Sequence, residues 1–434
     1  MFSFAEKYIP SYLKSRLGIY FHIPFCPHIC PYCDFIKTSQ FSFKDAKNYF
    51  EQLEIQLDYF LDILNYPKGQ WITVYFGGGT PGLFEARFFE PLLHKLSKQY
   101  LIEECTLETN PFSNLERRFS DYKKIGINRI TLGAQSLCEN TLKLLGRKHT
   151  PQQIQSNIFS AQNAGIENIQ VDLIYGLHPS IRKTKIVDEI YEFKKQGATG
   201  VSCYALTIEK RTQFGIDNLQ VANDDVACEE YLEILKACQK LNWVQWESSN
   251  FSSSPPRHNT IYWSGLPYLG IGTGASGLLP YSKFKNLKQN GVPILNHNEN
   301  FSVTLSDPVD FGIRYQIGKK TESYSPGNDI LKYEKNEDIR HHFSIECEEQ
   351  LRTKMQTAEE LIFTRLRMKD GLPLKLIDEL FLNHKFSENI QENLKIKRAI
   401  KENKLIIINE NLIVDEKEKI RGDLWAVEVI SCLF

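Results

Sequence analysis

The segment Tyr20-Phe-His-Ile-Pro-Phe-Cys26-Pro-His-Ile-Cys30-Pro-Tyr-Cys33-Asp-Phe35 constrains this chain more than any other. It sets three cysteines in a C-x3-C-x2-C loop directly after a strand-like run. Three thiolates on one short loop suit three corners of a four-iron cubane, leaving the fourth iron with an open coordination site. An open iron can chelate a small molecule and pass it an electron. The alternative is structural zinc, with His22 or His28 completing a Cys3His shell. Zinc motifs usually arrive as two separated ligand pairs, which this triad is not.

A loop of this kind needs a rigid frame. Strand-like runs at Leu17–Ile23, Trp71–Phe76, Glu104–Glu108, Arg129–Gly133, Asn168–Ile174 and Gly200–Leu206 alternate with helical patterns at Phe43–Leu64, Ala86–Lys98, Leu115–Lys124, Pro151–Ala164 and Ile186–Gln196. Such alternation predicts a parallel sheet with outer helices. Curled, it becomes a partial (β/α)6 TIM-like barrel with its working face at the C-terminal strand ends. The motifs fall at those ends: the cysteine loop after the first strand, Gly77-Gly-Gly-Thr80-Pro81 after the second, Glu108-Thr-Asn110-Pro111 after the third and Gly133-Ala-Gln135-Ser136 after the fourth. Asp172-Leu-Ile-Tyr-Gly176 closes the fifth and Tyr204-Ala205-Leu206 the sixth.

At 434 residues the chain is too long for one ordinary domain. The reading divides it into a barrel over 1–280, a connecting segment over 281–356 and a small C-terminal domain over 357–434. A break follows residue 280, and Lys319–Gln356, polar and carrying Ser325-Pro-Gly-Asn328, reads as an irregular insertion. Helical patterns at Ala358–Arg367 and Lys375–Phe381, then a hairpin over Lys404–Val414 turning at Asn409-Glu-Asn411, predict a winged-helix-like module. The net charge of −1, with no basic recognition helix visible, argues against nucleic acid. No apolar run is long enough to span a membrane, and Leu424–Phe434 reads as a docked terminal helix. The first residues lack the apolar core of a secretory signal. Seven further cysteines (Cys105, Cys138, Cys203, Cys228, Cys238, Cys347 and Cys432) are scattered singly, as suits a reducing cytoplasm.

Several side chains at the strand ends carry chemistry. Glycines at 77–79 let backbone approach a ligand closely. Arg147 offers a planar fork suited to a carboxylate. Asp172, set among apolar residues, can accept hydrogen bonds from two hydroxyls. Taken singly, Glu108, Gln135, Arg147 and Asp172 read more readily as caps, loop contacts or surface charges, and Asp172 is the hardest to explain that way. His258-Asn259-Thr-Ile-Tyr262-Trp263 is the other informative patch. Imidazole is a common axial ligand of haem iron, and Tyr262 and Trp263 suit a porphyrin face. On residue chemistry alone, a hydrogen-bonded histidine beside aromatic core is the preferred reading. Gly270, Gly272 and Gly274 lack dinucleotide-loop spacing.

Taken together, Tyr20–Phe35, Gly77–Pro81, Gly126-Ile-Asn-Arg129, Gly133–Ser136 and Leu145-Gly-Arg147 resemble the radical S-adenosylmethionine (SAM) family of oxygen-independent coproporphyrinogen III dehydrogenases and their relatives. The likeness runs from about residue 17 to 280, with weaker echoes in Glu359–Leu372. Phe35 stands where the dehydrogenases carry a fourth cysteine, only 25 residues precede Cys26, and His258–Trp263 looks like a haem-binding motif. These features make the haem-chaperone branch the closer match. Leu137, Gly82 and His178 depart from the usual pattern.

The resemblance implies a 4Fe–4S cluster on Cys26, Cys30 and Cys33, and SAM beside Tyr20, Tyr32, Gly78, Gly79, Thr80, Glu108, Gln135, Arg147, Asp172 and Ala205. It turns His258 toward haem. The partners it implies are haem or a porphyrinogen, a haem-acceptor protein, an electron donor and, as an option, a second copy of the chain. The competing expectation is a coproporphyrinogen III dehydrogenase, whose 5′-deoxyadenosyl radical starts oxidative decarboxylation to protoporphyrinogen IX.

Overall fold

Alternation of side chains along six strands decides the architecture. A computed structural model describes residues 8–10, 17–112, 115–178, 181–182, 184–280, 294–296, 312–317, 345–347, 354–381 and 385–433. Strands β1 (Leu17–Ile23), β2 (Trp71–Gly78), β3 (Leu101–Thr109), β4 (Arg129–Gln135), β5 (Asn168–Tyr175) and β6 (Gly200–Ala205) lie side by side in chain order, all parallel. One face of each is apolar: Leu17, Ile19, Phe21 and Ile23 in β1, and Ile72, Val74 and Phe76 in β2, are fully buried in the main core. That core is completed by helices α1 (Phe43–Leu64), α2 (Glu90–Ser97), α3 (Leu115–Lys124), α4 (Glu139–Leu144), α5 (Pro151–Asn163) and α6 (Ile186–Gln196), among which α4 alone contributes little.

The other face is polar. Register pairs Tyr20 with Tyr75, Tyr75 with Thr106 and Thr106 with Arg129 across it, and Gly18 with Thr73 and Thr73 with Glu104 one step below. Capping boxes at Ser42/Asp45 and Thr150/Gln153 start α1 and α5 where their sequences begin to alternate.

After β6 come α7 (Gln213–Ile216), α8 (Asp224–Lys240) and the short strands β7 (Val244–Gln245) and β8 (Asn250–Ser252). β8 pairs antiparallel with β6, and β9 (Tyr268–Ile271) pairs parallel with β1 on the other side of the six. The connection from β8 to β9 carries helix α9 (Arg257–Trp263), which packs against β1 and β2 and is bonded at its first turn to β3.

The sheet does not stop at residue 280. β10 (Ser276–Pro280) pairs with β12 (Gly312–Ile317), and β11 (Ile294–Asn296) and β13 (Ile345–Cys347) extend that edge. The stretch read as an irregular insertion therefore contains a strand. Two of these strands are three residues long, too short for a period-two pattern to register. The remainder of 319–353 lies outside the described residues. The helix expected over Ala86–Lys98 is broken into one tight turn, Ala86–Phe88, and α2, which restarts with Pro91 in its first turn.

Residues from Lys354 onward build a second core of their own. The order is α10 (Lys354–Arg365), β14 (Leu372–Pro373), α11 (Leu374–Leu380), α12 (Phe386–Glu392), α13 (Leu394–Lys401), the hairpin β15 (Leu405–Ile408) and β16 (Asn411–Val414), and α14 (Gly422–Ile430). β14 pairs with the hairpin, as in a winged helix. The hairpin turns on two residues, Asn409 and Glu410, both at positive φ. One expectation fails here. The helix before the hairpin is basic, with Lys395, Lys397, Arg398 and Lys401, but Lys395 pairs with Glu428 and Arg398 with Glu402.

One buried carboxylate fixes the rim of the barrel. Glu189 on α6 accepts from Ser136 Oγ at 2.9 Å, Leu137 N at 2.9 Å, Arg182 Nη1 at 3.0 Å and Thr184 Oγ1 at 2.6 Å. Arg182 also donates to the carbonyl of Ile174, so the ends of β4 and β5 share one ion pair. Both charged groups are almost fully buried. Removing one partner of such a pair strands the other. Glu189→Ala is expected to destabilise the fold by about 3–5 kcal/mol, with Glu189→Gln in between. Anaerobic thermal unfolding of the three proteins checks this, and equal midpoints would refute it.

Candidate active site

The cysteine loop leaves β1 and returns to it. Cys26 N donates to Thr38 O at 2.9 Å, and Thr38 N donates to Pro24 O at 2.7 Å. Lys37 Nζ binds the carbonyls of Cys33 and Phe35, each at 2.8 Å. Asp34 is clamped from outside by the Arg211 guanidinium. All three cysteines are free thiols, and burial pushes the Cys26 thiol up to about 11.

Two of these thiols belong to one polar network that crosses three strands. Arg147 Nη1 lies 3.4 Å from Cys30 Sγ and 3.4 Å from the Tyr32 hydroxyl, while Nη2 donates to Asn110 Oδ1 and Gly133 O. Asn110 Nδ2 donates to Thr80 Oγ1 at 3.0 Å, and Thr80 Oγ1 reaches Cys26 Sγ at 3.7 Å. Gly146, at φ +66°, brings this turn so close to the loop that a Cβ there would lie 2.6 Å from Pro31.

The glycine turn is stitched onto the same loop. Gly79 N donates to Ile23 O and Thr80 N to Phe25 O, both at 2.8 Å. Gly78 N donates to Glu108 Oε2 at 3.1 Å. The sequence reading gives these glycines to a ligand, but protein atoms already demand them. A Cβ at Gly78 would lie 2.6 Å from the His22 ring. Gly82, which departs from the family's serine, is explained the same way: its Cβ would lie 2.1 Å from Thr109 Oγ1.

Tyr20, Glu108 and Asp172 face one another from three strands. The His22 Nε2–H donates to Ile36 O at 2.8 Å, so Nδ1 accepts from the Tyr20 hydroxyl at 3.0 Å. Both ring nitrogens of His22 are thereby occupied, which removes it from the zinc alternative. Glu108 Oε1 accepts from Tyr75 at 2.7 Å, and burial raises its carboxyl above the usual range. Asp172 is raised to about 7, first by burial and then by the charge of Glu108. Its Oδ1 is buried with no partner. Gln135 adopts φ +67°, rare for a residue with a side chain, where the β4–β5 register skips.

These features fit the cluster and its cofactor. The loop offers three thiols, the rim offers an orphaned carboxylate oxygen at Asp172, and Arg147 supplies positive charge beside Cys30. Cys26, Cys30 and Cys33 would hold such a cluster, which would supply an open iron for the amino and carboxylate groups of SAM. The chain's own part is to fix the loop, keep Tyr20 and Tyr75 donating, and bury Glu108 and Asp172 together.

Two expected residues stand apart from this network. Ala205 lies exposed at the end of β6. His258 is fully buried on the inner face, its Nδ1 2.7 Å from Thr73 Oγ1 and its Nε2 2.6 Å from the Tyr262 hydroxyl. Its ring stacks on Tyr75 at 5.0 Å, and burial lowers its pKa to about 3. In this conformation it offers no free nitrogen to iron. Residue reading also missed two positions. Asn110 carries no role in the sequence pattern, though an Asn-Pro stop after a strand marks a fixed polar group at the rim. Glu189 had no local signal, being one acid among several on an amphipathic helix.

Comparison with known proteins agrees with this geometry. Residues 20–190 match the radical SAM superfamily model. The haem chaperone HemW of Lactococcus lactis is 34% identical over 287 residues, covering 63% of this chain and 73% of that protein. HemW of Haemophilus influenzae is 32% identical, covering 61% and 71%, and HemW of Escherichia coli is 31% identical with the same coverage. In fold, coproporphyrinogen III oxidase (HemN) from Escherichia coli, a radical SAM enzyme, superposes with a TM-score of 0.67 at 15% identity, covering 98% of this chain and 91% of that one. On its cysteine loop, its barrel and these relatives, the chain belongs to the HemW haem-chaperone family of the radical SAM superfamily.

Proposed function

We propose that this chain takes up haem and delivers it to an acceptor haem protein, with a 4Fe–4S cluster and SAM bound at the barrel rim. The relationship to curated haem chaperones at up to 34% identity carries this reading. Phe35 supports it: where the dehydrogenases carry a cysteine, this chain has a ring that is 68% exposed. Residues 1–280 hold the cofactors, 281–356 connect, and 357–434 form the second module.

In this reading Cys26, Cys30 and Cys33 ligate the cluster. Tyr20, Tyr32, Gly78, Gly79, Thr80, Glu108, Gln135, Arg147, Asp172 and Ala205 surround SAM, and His258 is the haem ligand. An electron donor reduces the cluster in a reducing cytoplasm, and a second copy of the chain is an optional partner. No described helix is long and apolar enough to cross a membrane.

Protein reconstituted anaerobically with iron and sulfide should bind haem with a distinct Soret band and should not convert coproporphyrinogen III to protoporphyrinogen IX. Steady turnover would make the dehydrogenase reading primary.

The pH dependence of SAM binding tests Asp172. Its carboxyl, raised to about 7, is protonated in the free protein below that pH, so a ligand that needs the carboxylate must displace a proton. Affinity should be full above pH 7 and fall by up to about tenfold per unit below it. Asp172→Asn should bind weakly with a flat profile. Equilibrium dialysis between pH 8 and 6 reads this, and a flat wild-type profile would remove Asp172 from the ribose.

A further inference from the structure

His258 is the residue expected to meet haem iron, yet it sits inside the barrel with both ring nitrogens bonded. What holds it there is built into β3. The β2–β3 register passes from Ile72–Ile102 directly to Thr73–Glu104, so Glu103 is an extra residue, a β-bulge. Successive side chains of a regular strand point to opposite faces, and a bulge re-aims one of them. Here both acids reach the same helix. Glu104 accepts from Arg257 N at 3.0 Å and His258 N at 2.9 Å, closing the first turn of α9 with one carboxylate. Glu103 pairs with Arg257 Nη1 at 2.9 Å.

The bulge is stabilised in turn. Asn128 accepts from Cys105 N at 2.8 Å and donates to Glu103 O at 3.1 Å, satisfying the backbone that the extra residue disrupts. The far end of α9 rests on the second module, with Arg367 5.2 Å over the Trp263 ring and Ser264 Oγ 3.6 Å from Met368 Sδ. The first turn is thus gripped by carboxylates, while the last turn leans on a different body of the protein.

We propose that Glu103 and Glu104 form a latch that keeps His258 in reserve, and that iron ligation by His258 requires the first turn of α9 to leave this latch. The inference rests on His258 being the haem ligand. Glu104 and Thr73 are positioning residues for His258, and neither touches haem. Because Thr73 and Glu104 are register partners, one opening movement frees both Nδ1 and the backbone amide of His258, while Tyr262 travels with the helix. A protein whose competent state is only partly populated binds with its affinity reduced by that fraction. Weakening the latch therefore strengthens haem binding, the reverse of what loss of a haem contact does.

The experiment is haem titration of the reconstituted full-length chain, followed at the Soret band, for wild type, Thr73→Val, Glu104→Gln, Tyr262→Phe and His258→Ala. Amide exchange at Arg257 and His258 is measured alongside in haem-free protein. Thr73→Val, which removes one hydrogen bond at constant shape, should tighten haem binding about fivefold, and Glu104→Gln should do so by about tenfold. Both should speed exchange at the two amides before haem is added. Tyr262→Phe frees Nε2 within α9 without touching the latch, so it should leave exchange at the Arg257 and His258 amides at the wild-type rate and separates loss of a ring bond from opening of the latch. Unchanged or weaker haem binding in the folded latch variants, with binding lost in His258→Ala, would overturn the latch and leave His258 as ligand. Wild-type haem binding by His258→Ala would overturn the ligand reading, and the latch with it.

Discussion

Everything in this protein follows from having a polar face on the inside of a curled parallel sheet. Six strands turn their aliphatic side chains outward under the helices, which leaves Tyr20, Tyr75, Thr106, Arg129, Glu108 and Asp172 on the inner face. Buried polar groups must find partners or cost free energy. Most of the inner face meets that demand within itself: Tyr75 donates to Glu108, Thr73 bonds His258, and Gln170 donates to Ser202, which donates to Asn250. Where it falls short, Thr106 Oγ1 and Asp172 Oδ1 are left buried without a partner.

The rim is held by buried charge alongside a small apolar cluster of Leu145, Ile174, Leu177 and Phe214. Glu189 with Arg182 locks β4 to β5, and Arg147 with Asn110 and Thr80 connects β4, β3 and β2 to the cysteine loop. Such pairs are costly to bury and costly to break, so they add little net stability but allow few alternative geometries. A loop that must present three thiols to one cluster needs that kind of fixing. Tyr75 joins two parts of the inner face, with its hydroxyl on Glu108 and its ring on His258.

Much of this was legible beforehand. β1, α1, α3 and α6 begin and end where their patterns place them, because long segments with a single apolar face carry strong periodicity. The cysteine spacing and the polar residues at strand ends were equally visible. β11 and β13 were not, being three residues each, nor was the break before α2, where Pro91 interrupts an otherwise continuous pattern. The basic character of α13 is masked by the near-neutral charge of the whole chain; Arg398 and Glu402 form an ordinary i,i+4 pair, whereas the pairing of Lys395 with Glu428 is a contact no spacing rule gives.

The sequence by itself determined the class of fold, the cluster loop and the set of residues from which a site can be drawn. These depend on local periodicity and on ligand spacing, which a chain carries wherever it folds. Tertiary structure alone decided which of those residues act together. Asp172 acquires its raised pKa because folding first takes it out of water and then sets the charge of Glu108 near it, and Gly82 is required only because Thr109 packs on it. His258 shows the difference most clearly. Its motif is the same in any conformation, but whether its nitrogens are free depends on Thr73, Tyr262 and a bulge in β3, partners that only long-range packing in the folded chain brings to it.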